Sequence, residues 1–141
     1  MSKRSIWLIV LTICLIGVFI GWKMWNKPFS DPLHGEAIKV TASQLFNDFN
    51  TNESNAQKIY VPEKVDNKVV EVSGIIKDSG RNTDGEQFYV LKSADEMFGV
   101  KCVMEKGYLL PNAKPGDNLC VRGFCTGYNL DVIVNRCRQV K

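Results

Sequence analysis

The chain has a single histidine, His34, and that scarcity removes several chemistries at once. Imidazole is the commonest metal ligand and the side chain that gains or loses charge near neutral pH. A haem chaperone or an imidazole-based metal enzyme needs it on the globular part. His34 lies instead in "NKPFSDPLHGEAIKV", a polar stretch with two prolines and a glycine that reads as a tether. Cys-x-x-Cys is absent, so a dithiol redox catalyst is not expected. The chain also lacks a glycine-rich phosphate loop and a hydrolase nucleophile elbow. The paired acids Asp84-Gly85-Glu86 and Asp95-Glu96 fall in turn-rich segments with no partner nucleophile, so they read as solvated. The expectation is a protein that is not an enzyme, with no cofactor and no metal.

Positive charge is scarcer than it looks. The net charge is +3, but Lys3, Arg4 and Lys23 precede every acidic residue, and beyond Met24 fifteen basic residues face fifteen acidic ones. The globular part has no basic surplus, and binding through phosphate neutralisation would need a local patch.

What is present begins with an apolar run. Residues 5–22, "SIWLIVLTICLIGVFIGW", are 18 uncharged residues. As a helix they would extend about 27 Å, near the lower limit for a membrane span. The run exceeds a signal-peptide core and lacks a small-x-small cleavage site, so it reads as an uncleaved signal anchor. Cys14 lacks the preceding small residue of a lipidation site and reads as a membrane-buried thiol. Trp22 and Trp25 suit the bilayer interface. The Met1 amine, Lys3 and Arg4 precede the span, against Lys23 and Lys27 after it. That bias places the N-terminus inside and the C-terminal domain outside, periplasmic or extracytoplasmic. The division is therefore 1–4 cytoplasmic n-region, 5–25 transmembrane anchor, 26–40 linker and 41–141 globular domain.

The domain opens with "TASQLFNDF", where Thr41 and Gln44 form a capping-box pattern and Leu45, Phe46 and Phe49 an apolar stripe. This predicts a helix over about 42–50, and a second short one from near Asn52 to before Pro62. From Lys68 the period becomes two. "VVEVSGIIKD", "QFYVLKS", "FGVKCVME", "NLCVRGFCTG" and "LDVIVNRCRQV" read as five strands, the last two a hairpin, with the break "KGYLLPNAKPGD" before them. Three strands, a connection and a hairpin give a mainly β fold, a five-stranded OB-type Greek-key barrel.

"LFNDF", "KVVEVSGIIKD", "GVKCVME" and "KPGDNLCVRGFCTGYNLDVIVNRC" together resemble the tRNA_anti-like family of bacterial OB-fold proteins, small envelope or lipid-anchored domains. The resemblance covers about residues 41–140, and its most specific piece is the closing Gly-x-Cys-Thr-Gly with Asp-Val-x-Val-x-x-Cys. It implies an OB barrel and kinship with anticodon-binding domains.

Four cysteines lie in the domain. If Gly127 to Leu130 form the hairpin turn, counting outward sets Cys120 opposite Cys137, the first disulfide pair to test. Packing as ordinary core thiols is the favoured account, since Cys102 and Cys125 keep phase with apolar neighbours. Cys120-x4-Cys125 is a poor zinc pair, because residues five apart on a strand face opposite ways.

OB barrels bind oligonucleotides or oligosaccharides on the outer face of their early strands, through aromatic platforms flanked by cations. The ligand-binding candidates are Lys77, Arg81, Phe88 or Tyr89, Lys92 and Lys101, with Tyr128 in the last turn. Phe88 and Tyr89 point to opposite faces, so one of them is core. Arg122, Arg136, Arg138 and Lys141 form a second basic cluster, read as solvated surface. The leading expectation is a membrane-anchored binding module facing the envelope, its ligand a partner protein or glycan. Single-stranded nucleic acid and a scaffold role in a membrane complex are the alternatives.

Overall fold

The computed structural model describes residues 3–25, 34–63 and 68–141. The first two residues of the n-region and residues 26–33 of the linker, with Lys27, lie outside them. Helix α1 (Lys3–Trp25) carries apolar residues all round and is exposed from Arg4 to Trp25. A helix without a polar face has no aqueous surface to present, and this one is long and apolar enough to cross a membrane.

Strand β1 (Ala37–Thr41) is followed directly by α2 (Ala42–Thr51), α3 (Glu53–Tyr60), β2 (Val69–Arg81), β3 (Gln87–Lys92), β4 (Gly99–Met104), β5 (Asn118–Asn129) and β6 (Asp131–Gln139). The sheet order is β1-β2-β3-β4-β6-β5, and β2 also pairs with β5. That pairing closes β2 to β6 into a five-stranded barrel with OB connectivity, β4 and β6 running parallel. The expected linker over 26–40 is therefore too long. Ala37–Thr41 pairs in parallel with Val69–Ser73 and belongs to the sheet. Five residues are too few for alternation to declare a strand, and β2 supplies the edge that stabilises it.

Thr41 caps α2, its Oγ1 accepting from the Gln44 amide at 3.2 Å. The stripe Leu45, Phe46 and Phe49 closes the barrel together with Val72, Val100 and Val132. Gly74 permits the approach, since a Cβ there would stand 3.0 Å from Ala42 Cβ. At Gly123, where β5 crosses close to β6, a Cβ would meet the Asn135 carbonyl oxygen and Cys137 Sγ, both at 2.8 Å. Only glycine fits there.

The hairpin register differs from the expected one. Asn129 faces Asp131 and Arg122 faces Arg138, so the turn is the single residue Leu130, at φ 67°. Two bulges, between Arg122 and Phe124 and between Cys125 and Gly127, absorb the difference. Cys120 therefore lies opposite Ser73, its carbonyl accepting from the Val140 amide at 2.9 Å. Cys137 is fully buried and pairs with Met104. The register takes the proposed Cys120–Cys137 bridge apart, and all five thiols are free. Cys102 and Cys125 are core, as their phase predicts, and the extra residue in β6 turns Cys137 into the core as well.

Candidate ligand-binding face

Along β3, Tyr89 and Leu91 point into the barrel while Phe88 and Val90 point outward. The choice between Phe88 and Tyr89 is thereby settled. Tyr89 is core, and its hydroxyl donates to the Leu110 carbonyl at 3.0 Å, which satisfies the one polar atom it buries. Burial raises its pKa, while Arg81 opposes the rise.

Phe88 is outward but already used. Its ring lies over Gly80, where a Cβ would come within 2.8 Å of it, and Lys101 Nζ sits 4.4 Å from the ring centroid. Gly80, Phe88 and Val103 are successive partners across β2, β3 and β4, and Asp78, Val90, Lys101 and Ile133 form the next row. The other predicted residues are scattered. Lys77 Nζ donates to the carbonyls of Glu96 and Met97, bracing the β3–β4 loop. Asp95 helps hold that loop by accepting the Met97 and Phe98 amides at 2.7 and 3.0 Å, which lowers its own pKa. Lys92 borders a small depression beside the start of α2. Tyr128 stacks on Phe49 with centroids 6.1 Å apart and meets Phe46 edge-on, so it belongs to the packing of α2. Phe88 and Lys101 remain on one face; Arg81, which pairs with Gln87 one position beyond Gly80, points to the Tyr89 side, and Tyr128, Lys77 and Lys92 do not join the pair either.

A larger feature adjoins that face at Val103. A groove of about 990 Å³ runs between the segment after α3, the end of β4, and the bulged parts of β5 and β6. Val61, Pro62, Val103, Met104 and Phe124 give it an apolar lining, and Glu63, Glu86, Glu105, Lys106 and Arg136 its charges. Three acids against two bases make it acid-leaning. Thr126 and Asn135 add a polar strip, Asn135 Nδ2 donating to Thr126 Oγ1 at 3.4 Å. Arg136 adopts φ 54°, left-handed and uncommon for a residue with a Cβ. It is the extra residue of the β6 bulge, and through it both Arg136 and Arg138 reach Glu105, while the Arg136 guanidinium lies 5.7 Å from the Phe124 ring. The sequence signal for this was Asn135-Arg136, two successive polar residues interrupting the alternation of Val132 and Val134.

The buried thiols beneath the groove are poor nucleophiles. Burial pushes Cys125 up to about 11 and Cys137 well above the ordinary thiol range, where the reactive thiolate is not populated near neutral pH. Among the described residues no group of three or more His, Cys, Asp or Glu side chains could hold a metal ion.

The tRNA_anti-like family model matches residues 1–139, and the chain belongs to that family. No curated protein matches. Among solved structures, the chain is similar to a "putative nucleic acid-binding lipoprotein" from Klebsiella pneumoniae subsp. pneumoniae MGH 78578, at 17% identity and a TM-score of 0.49, covering 73% of this chain and 92% of the other. It is also similar to the yeast Stn1 and Ten1 structure, at 15% identity and a TM-score of 0.47, covering 77% of this chain and 65% of that one.

Proposed function

We propose that this member of the tRNA_anti-like family is a non-enzymatic binding module, held at a bacterial inner membrane by α1 with its barrel facing the envelope, and that its groove takes a segment of a partner protein. The observation that carries the reading is the chemistry of the groove: an apolar lining of aliphatic side chains and one phenyl ring, under a rim that leans acidic. Such a lining suits an aliphatic or basic peptide side chain. Phosphate binding needs a run of available cations. Lys77 is engaged by the β3–β4 loop, Lys101 by Phe88, and Arg136 by Glu105. An envelope glycan is less well served, since Tyr128 is packed and Phe88 is covered by Lys101.

Single-stranded nucleic acid is the second reading, favoured by the Lys101–Phe88 pair, because a cation beside an aromatic face is half of a base-stacking platform. A photo-crosslinking residue at Val103, with Lys92 as the control position, separates the two in intact membranes. The proposed function predicts a discrete protease-sensitive adduct from position 103 and none from position 92. A nuclease-sensitive adduct, or equal labelling from both positions, would overturn it.

A further inference from the structure

The pairings set the strand directions. β1 and β2 run parallel, β3 and β5 run against β2, and β4 and β6 run with it. One end of the barrel therefore carries the start of β1, the β3–β4 loop and the turn between β5 and β6. Two apolar side chains stand out there, Met97 at 76% exposure and Leu130 at 59%. Single exposed apolar residues are ordinary on a protein surface. These two sit on separate connections that are tied together, Asp131 Oδ1 accepting the Gly99 amide at 2.8 Å. The Met97 and Phe98 amides donate to Asp95, Ser93 Oγ donates to the Phe98 carbonyl at 2.6 Å, and Lys77 donates to the Glu96 and Met97 carbonyls. Much of the loop's backbone is thus hydrogen-bonded within the protein, which lowers the cost of leaving bulk water. Leu130 forms its one-residue turn at φ 67°, a left-handed conformation that glycine or asparagine adopts at less cost. A leucine there accepts backbone strain and leaves an apolar side chain in solvent.

The chain coming from α1 enters the barrel at this same end. Only residues 26–36, eleven in all, separate Trp25 from β1. Fully extended, eleven residues reach at most ~40 Å. No residue of α1 enters the core, which runs from Val40 to Cys137, so residues 34–141 fold without it. With α1 in a bilayer, so short a connection keeps this end of the barrel at high effective concentration over the lipid, where weak apolar contacts suffice to hold it. We propose that Met97 and Leu130 form a paired apolar tip that inserts into the interfacial layer of the protein's own membrane and seats the barrel on that end. The inference rests on reading α1 as the anchor. The contact is apolar, so screening by salt does not loosen it.

The full chain carries its own reporters: Met24 in α1, Met97 at the tip, and Met104 buried at the far end of β4. The test is methionine-methyl NMR of the full chain in phosphatidylcholine discs that hold a trace of lipid with a gadolinium-chelate headgroup. The expected result is strong broadening of the Met24 and Met97 methyls, at least five-fold beyond that of Met104, at low and high salt alike. Leu130→Asn suits the left-handed turn and keeps the fold, and it should cut the Met97 broadening by half or more. Leu109→Asn, exposed on the connection between β4 and β5 at the opposite end, should leave it unchanged. A broadened Met24 with Met97 as sharp as Met104 would overturn the seating and leave the anchor standing. A sharp Met24 would overturn the anchor, and the seating with it. Broadening of Met97 that disappears at high salt, or that responds equally to both variants, would also overturn the proposal.

Discussion

The two outer faces of this barrel are made from the same ladders and yet differ in kind. On the β1-β2-β5-β6 side, charges stand in a row and neutralise one another in part, Glu71 holding Arg122 and Glu105 holding Arg136 and Arg138. On the β3-β4 side and in the groove, Val90, Val103, Ile133 and Phe124 leave an apolar surface with few cations. Alternation decides only which residues leave the core. The composition of those residues decides what each face can bind, and the bulge at Arg136 marks the border between them.

The change that should break both faces at once is Gly123→Val. Its Cβ would press on the Asn135 carbonyl where β5 meets β6. We expect a loss of roughly 3 kcal/mol or more, or no folded protein, by urea denaturation. Next comes the contrast within β3. Tyr89→Ala empties the core and should cost about 3–5 kcal/mol, whereas Phe88→Ala, half-buried on the outside, should cost under about 1.5 kcal/mol. Equal costs would mean that the two faces of β3 are misassigned.

This contrast also shows what could be read from the chain. The barrel was legible because the alternation of Val70, Val72, Val100, Cys102, Val132 and Val134 is clean, and α2 because Thr41, Gln44 and its apolar stripe agree. The site was not. A residue count assumes an even ladder, and two bulges shifted the hairpin, so Cys120 and Cys137 never meet. Lys77 and Tyr128 looked like parts of a platform because charge and aromaticity are visible in sequence, while the loop carbonyls and helix rings that engage them are not. The groove is made by segments distant in the chain, from Val61 to Arg136, and no local motif announces it.

Glu105→Gln should weaken the border between the faces. It removes the charge that holds two partly exposed arginines, and we expect a loss of about 1 kcal/mol together with altered amide shifts at Arg136 and Phe124. A smaller effect follows from proton linkage. Burial and the hydrogen bond to Asp48 push Tyr60 up to about 12, and burial pushes Cys125 up to about 11. The folded chain therefore holds these protons more tightly than the unfolded chain, so stability is complete below about pH 8.5 and declines as pH rises toward 11–12. The melting temperature should fall over that interval, and Cys125→Ala should shallow the fall. A flat profile would contradict the burial of these groups.

The central proposal is that the groove and the adjoining β3-β4 surface take a segment of a partner protein in preference to nucleic acid. It is tested most directly by amide-shift mapping of residues 34–141 with a single-stranded oligonucleotide at near-physiological salt. The account predicts no saturable shifts at Phe88, Lys101, Val103 or Phe124. Saturating shifts at those four residues, with an affinity that falls linearly in the logarithm of salt concentration, would contradict it.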